Sequence, residues 1–148
     1  MDAALFYLTS KMRSVREVEN RLDDLQYGEG DIITTIDRLK ELNLLNDRAY
    51  AEEYVRSRLA SKPVSRQKLF IELKTHKIPD EIIESVLSDL NKDTEAENAC
   101  MVAEKFMRQM NDLEESVRRE RIFRRLISRG FSFETSMTAI HNVEEEQP

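Results

Sequence analysis

The chain has 148 residues, of which 40% are hydrophobic and 35% charged, and its formal net charge is −6. That apolar share can build a core, but so high a charged fraction suits thin, surface-rich helices better than one thick globule. The longest apolar run, residues 3–8, is six residues and too short for a membrane span, and a single cysteine, Cys100, excludes an internal disulfide. Met1-Asp2 starts without the basic and apolar regions of an export signal, so the cytosol is the expected compartment.

Three glycines and three prolines fit long helices with short turns, and β-branched alternation is too scarce for a sheet. In chain order, residues 3–10 read as a short helix with Leu5, Phe6 and Leu8 as its apolar positions. Ser14 and Glu17 match a capping box, and Val15, Val18, Leu22 and Leu25 follow at spacings of 3, 4 and 3. Gly28-Glu29-Gly30 reads as a loose turn. Ile32, Ile33, Ile36, Leu39 and Leu42 mark the next helix, with Asn43 as its left-handed C-terminal residue. Asn46 or Asp47 caps a helix carrying Ala51, Tyr54, Val55 and Leu59, which Pro63 ends. Leu69, Phe70 and Leu73 mark the following helix. Pro79-Asp80-Glu81 opens another, with Ile82, Ile83, Val86, Leu87 and Leu90. From about Asp93 a longer helix carries Ala99, Val102, Ala103, Phe106, Met107 and Met110. Asp112 and Glu115 suggest the start of a basic helix running to Arg129, with Gly130 beyond its end and Phe131 packing back. Ser132 caps a last helix with Met137, Ile140 and Val143, and a short acidic tail, Glu144 to Pro148, is expected to fray.

These elements repeat. A shift of 53 residues lays Leu69, Leu73, Ile78, Leu87 and Leu90 over Ile122, Leu126, Phe131, Ile140 and Val143, and a shift of 51 lays Leu69, Leu73 and Ile78 over Val18, Leu22 and Tyr27. Ala51 to Arg56 matches Ala103 to Arg108 at a shift of 52. The expected fold is all-α: three tandem three-helix repeats, at 1–45, 46–91 and 92–148, in an elongated, curved array.

Charge is segregated along this frame. Residues 56–77 hold seven bases (Arg56, Arg58, Lys62, Arg66, Lys68, Lys74, Lys77) and one acid, Glu72, and residues 118–129 hold six (Arg118, Arg119, Arg121, Arg124, Arg125, Arg129) and one acid, Glu120. The candidate binding residues are Arg56, Arg58, Lys62, Arg66, Lys68 and Lys74, with Arg118, Arg121, Arg124 and Arg125 on the later helix. Arg118, Arg121 and Arg125 fall on one helical face. Such a face suits phosphates or an acidic partner, and its contacts would be largely independent of base sequence. The plainer alternative is a solvated surface paired at i,i+4, as Glu114–Arg118 and Glu120–Arg124. Tyr50, Tyr54, Phe70 and Phe106 can stack on bases, but Tyr54 and Phe106 hold equivalent repeat positions flanked by apolar residues, which makes them core. His76 and His141 stand 65 residues apart with no metal-ligand spacing, and Cys100 has no histidine beside it. No catalytic residue, metal site or cofactor loop is expected.

Arg13-Ser14, Glu17-Val18, Leu44-Leu45-Asn46-Asp47, Tyr50-Ala51, Tyr54-Val55 and Arg129-Gly130-Phe131, in this order and spacing, resemble the RecX family of bacterial RecA regulators. The resemblance runs through Ala4-Leu5, Tyr7-Leu8, Arg13-Ser14, Glu17-Val18 and Arg21-Leu22 in the first repeat. It continues through Leu44-Leu45-Asn46-Asp47, Tyr50-Ala51, Tyr54-Val55, Arg58, Leu69, Glu72-Leu73 and Ile78, and ends with Ile122, Leu126 and Arg129-Gly130-Phe131. It implies a non-enzymatic protein, without cofactor, that lies in the groove of a RecA–DNA filament and suppresses ATP hydrolysis and strand exchange. The implied partners are the RecA filament and DNA, touched mainly at phosphates and weakly without recombinase. No membrane is involved, and the acting species is a monomer. The chain departs from the family pattern in its acidic total, in starting at the first repeat, in His76-Lys77 where Lys-Gly is usual, and in Lys62-Pro63-Val64 where a glycine is common. If Lys77 takes φ > 0 it costs about 1 kcal/mol. An acidic chain also gains less from counterion release on DNA. The competing readings are a helix-turn-helix-like DNA-binding protein and a helical scaffold for another protein.

Overall fold

In a computed structural model, residues 1–146 are described; Gln147 and Pro148, the end of the expected tail, lie outside them. The described residues form α1 (Asp2–Thr9), α2 (Val15–Asp24), α3 (Glu29–Glu41), α4 (Asp47–Ser61), α5 (Arg66–Thr75), α6 (Asp80–Val86), α7 (Lys92–Gln109), α8 (Glu115–Ser128) and α9 (Phe133–Glu146), with a 3-10 turn at Leu87–Asp89 after α6 and no strand.

The helix starts are set by short polar side chains that accept otherwise orphaned N–H groups. Glu17 N–H donates to the Ser14 hydroxyl at 3.2 Å while Ser14 N–H donates to the Glu17 carboxylate at 2.9 Å, completing the capping box. Ala49 N–H donates to Asn46, Lys68 N–H to Ser65, Thr94 N–H to Asn91 and Thr135 N–H to Ser132, all at 3.0–3.1 Å. Asn46 is therefore the cap of α4. Asp47 acts elsewhere: Val15 N–H, at the start of α2, donates to its carboxylate at 2.8 Å. The next repeat has the equivalent bond, Arg66 N–H at the start of α5 donating to Glu95 at 2.9 Å. In both cases an acid from the first helix of one repeat closes the second helix of the repeat before it.

The ends of the second helices coincide to the residue. Gln26, Lys77 and Gly130 take φ of 66°, 66° and 89°. Tyr27, Ile78 and Phe131 N–H then donate back to Leu22, Leu73 and Leu126 C=O at 3.1–3.2 Å, the bond that closes a Schellman turn. Asn43, φ 55°, ends α3 in the same way, with Leu44 N–H donating to Leu39 C=O. Two of the expected turns differ. Gly28 and Gly30 form no loose turn: Gly28 precedes α3 and Gly30 lies within its first turn, and Gln26 makes the reversal instead. α8 begins after Glu114, not at Asp112, and Glu114 makes no side-chain cap. The acidic end does not fray within the described residues, because α9 continues to Glu146.

Packing gathers into two compact units, Met1–Val55 with Phe70–Val86, and Arg56–Leu69 with Leu87 onward. In the first, α1, α2 and α3 close over Ala4, Val18, Leu22, Ile36, Leu39 and Leu45. Only part of the expected stripe is inside: Phe6 is 79% exposed, and Leu5, Leu25, Ile33 and Leu42 also face solvent, since a ~100°-wide buried face takes about three positions per two turns. In the second unit, α7, α8 and α9 close over Phe106, Met107, Ile122, Leu126, Phe131 and Ile140. Leu69, Leu73, Ile83 and Leu87 are fully buried. Gly130 has a second constraint. A Cβ there would collide with the Ser65 hydroxyl and stand 2.9 Å from Lys68 Cβ.

Equilibrium denaturation of single variants tests this packing. Leu73→Ala should lose about 2–5 kcal/mol through its cavity. Gly130→Ala should lose more than the ~1–2 kcal/mol of a left-handed alanine alone, because of the collision, whereas Lys77→Gly, at the open equivalent turn, should gain up to about 1 kcal/mol. Burial raises the Asp47 carboxyl above its ordinary 3.8, against the lowering effect of the Val15 N–H. A raised folded-state value favours folding at acid pH and loses that benefit as pH rises through it. Asp47→Asn, which keeps the acceptor without the charge, should therefore equal or exceed the parent at about pH 7, while Asp47→Ala strands the Val15 N–H at a cost of about 1–3 kcal/mol.

Candidate functional site

The second unit brings together residues 56–69 of the first basic run and all of the second, 118–129, whereas Lys74 and Lys77 belong to the first unit, where Lys74 pairs with Asp80 at 2.6 Å. Backbone and side chain lock the runs together. Ser65 N–H donates to Arg129 C=O at 2.9 Å, Lys68 Nζ to Ser128 C=O at 2.6 Å, and Arg129 Nη1 to Pro63 C=O at 3.3 Å. Lys68 thus places its charge at the negative end of α8. Arg66 Nε donates to Leu87 C=O and Arg58 Nη1 to Lys62 C=O. Several expected ligand-binding cations therefore also hold the fold, although a guanidinium with five N–H donors keeps others to offer.

On α8 the expected face divides. Arg118 is half-buried, with its Nε buried and without a hydrogen-bond partner among the described residues. Arg121, Arg124 and Arg125 are exposed, and Arg124 pairs with Glu120 at 2.6 Å, as expected for a solvated face. The expected Glu114–Arg118 pair is absent. Glu114 accepts the Ser116 hydroxyl, and Glu115, one residue on, pairs with Arg119 at 3.1 Å. Arg119 also grips Glu144 through two hydrogen bonds of 2.9 and 2.7 Å, which hold the Glu144 carboxyl below its ordinary value. Arg121 and Arg125 have no acidic partner among the described residues, and Lys62 is exposed.

The electrostatic centre is Arg129. Burial lowers its affinity for its proton, and the charges of Arg58 and Arg125 lower it further, so three guanidiniums press on one another here. Arg125 and Arg129 each stand 5.2 Å from the Phe106 ring centre, in cation–π range. Clustered like charge at a partly open position marks a candidate anion site. Sequence reasoning counted Arg129 in the basic run but did not single it out. It also missed Lys105 and Arg108 on α7, which line a groove with Arg129. The match of Arg108 to Arg56 in the repeat alignment was the available signal.

The aromatic candidates are mainly core. Tyr50 and Phe106 are 8% and 5% exposed, and Tyr54 and Phe70 are half-buried. Tyr50 stacks on Tyr54, both rings lie within 6 Å of the His76 ring, and burial pushes the Tyr50 phenol up to about 12. His76 Nδ1 stands 3.4 Å from Glu17 Oε2, which makes the imidazole a packing and hydrogen-bonding partner. Cys100 is half-buried, and burial raises its thiol. Among the described residues no group of three or more His, Cys, Asp or Glu side chains is placed to hold a metal, and no helix is long and apolar enough to cross a membrane.

Comparison with known proteins agrees with this frame. Three family models match in order: the first three-helix domain of RecX over residues 1–39, the second over 46–87 and the third over 93–140. The chain is 31% identical to a regulatory protein RecX from Bacillus licheniformis over 97% of its own length, but spans only 54% of that relative. It is also 31% identical to the RecX of Chlorobium phaeobacteroides, covering 88% of this chain and 83% of the relative. The crystal structure of RecX from Lactobacillus salivarius superposes with a TM-score of 0.79 at 29% identity, over 97% of this chain and 94% of that one. With three three-helix domains in tandem, the recurring left-handed turn and these relatives in accord, the chain belongs to the RecX family.

Proposed function

We propose that the chain is a non-catalytic regulator that binds a RecA–DNA filament and lowers its ATP hydrolysis and strand exchange, acting in the cytosol as a monomer. The observation that carries this reading is the meeting of two basic runs in one compact unit, with Arg58, Arg125 and Arg129 concentrated at their junction. The relatives' name, regulatory protein RecX, supports a regulatory role, and family membership supports a recombinase as the protein partner. The net charge of −6 does not oppose it, since local field and not the total decides where an anion docks. Arg121 and Arg125, exposed on α8, are the cations proposed to reach phosphates, with exposed Arg56, Lys62 and Arg124 as further candidates. Such contacts fix position without reading bases. The three-helix repeats at 1–45, 46–91 and 92–148 are the proposed building units.

DNA-dependent ATP hydrolysis by the cognate recombinase, with this protein titrated from sub-stoichiometric amounts upward, tests the proposal. Inhibition below one chain per recombinase is the expected result; full activity at stoichiometric excess of folded protein would refute it. Arg121→Glu with Arg125→Glu should keep the helical circular dichroism and abolish inhibition, and unchanged inhibition would remove α8 from the interface. Arg118 is left intact because a carboxylate at its half-buried position would perturb the fold. In single-stranded DNA binding, Arg121→Ala should reduce the salt slope by about 0.7, the loss of one phosphate contact, whereas Lys74→Ala should leave it unchanged. Tight duplex binding without recombinase would favour a helix-in-groove reader instead.

A further inference from the structure

Within the second unit, the last turn of α4 and one side of α7 enclose a groove of about 370 Å³. Its size falls in the range of about 300–1,000 Å³ that suits a specific ligand. The groove is amphipathic. Leu59, Pro63, Met101 and Val102 give it apolar walls, and Met101 is 51% exposed. Lys105, Arg108 and Arg129 bring positive charge to it, against the single acid Glu104. Lys105 and Arg108 are exposed and have no acidic partner among the described residues. Arg129 lies under the like charges of Arg58 and Arg125, a repulsion that an incoming anion would relieve.

We infer that this groove is a docking site for an acidic peptide segment of a protein partner, one that carries an apolar side chain between its carboxylates. Charge complementarity calls for an anion, and the apolar walls decide which kind. A nucleic-acid strand carries charge on every unit, offers no flexible apolar side chain to bury against Leu59 and Met101, and finds no aromatic ring in the lining on which to stack a base. A peptide meets both demands: its apolar side chain covers Met101 and Leu59, and its flanking carboxylates reach Lys105 and Arg108 in charge-assisted hydrogen bonds. The inference goes beyond the proposed function: the two share Arg129, but the phosphate contacts proposed above lie on Arg121 and Arg125 and the peptide contacts on Lys105 and Arg108.

The test is fluorescence anisotropy of the full chain with a fluorescein-labelled peptide of alternating aspartates and glutamates around one central leucine. Saturable binding is expected, weakened by about tenfold or more in the Lys105→Ala, Arg108→Ala double variant. Met101→Ala, at an exposed position, and replacement of the peptide's leucine by alanine should each weaken it as well. Arg121→Ala should leave peptide binding unchanged while weakening oligo-dT binding, which separates this groove from the proposed DNA contacts. Absence of saturable binding to folded protein would overturn the inference. So would equal binding of the leucine-free peptide, which would mean simple polyanion attraction, or displacement of the peptide by oligo-dT through Lys105 and Arg108, which would make the groove a phosphate site.

Discussion

The structure depends on a left-handed turn that recurs after the second helix of every repeat. At Gln26, Lys77 and Gly130 the backbone enters positive φ, reverses, and sends the next residue's N–H back to the helix. The reversal sets the direction of the following helix and carries Ile78 and Phe131 into buried positions. Only in the third repeat is the turn also crowded, because its backbone approaches Ser65 and Lys68 closely. That is why glycine stands there, while glutamine and lysine can bear the modest steric cost at the open equivalents.

A second device joins successive repeats. The serines before α2 and α5, Ser14 and Ser65, are both buried and cap their own helices, and the first N–H beyond each is taken by a carboxylate from the next repeat, Asp47 or Glu95. Each repeat thus completes the helix start of its predecessor. α8, by contrast, begins after Glu114 without a side-chain cap.

Charge serves two ends in the second unit. Lys68, Arg66 and Arg129 give donors to backbone carbonyls and so fix the geometry of the basic face. Arg121, Arg125, Lys105 and Arg108 have no acidic partner among the described residues. The first group cannot be removed without disturbing the second. A basic run in sequence is therefore a poor guide to which cations are available, since the count does not separate a charge that closes a helix end from one that waits for a ligand.

The sequence by itself determined the helices, their approximate limits and the three-fold repetition, because helix periodicity, caps and left-handed turns are local and recur at 51–53 residues. It placed Ser14, Ser132, Asn43 and Gly130 in the roles they hold. Exposure was less legible. Phe6, Ile33 and Leu42 look like core in any apolar pattern, and only the packing of neighbouring helices decides which side of a stripe is covered. The tertiary structure alone decided that residues 56–69 join 118–129 in one unit while Lys74 belongs to the other, and that Arg129, Lys105 and Arg108 meet at one groove. The physical reason is range. Helix signals act over a few residues, whereas the field at Arg129 comes from Arg58, 71 residues earlier, and such proximity exists only after the chain has folded.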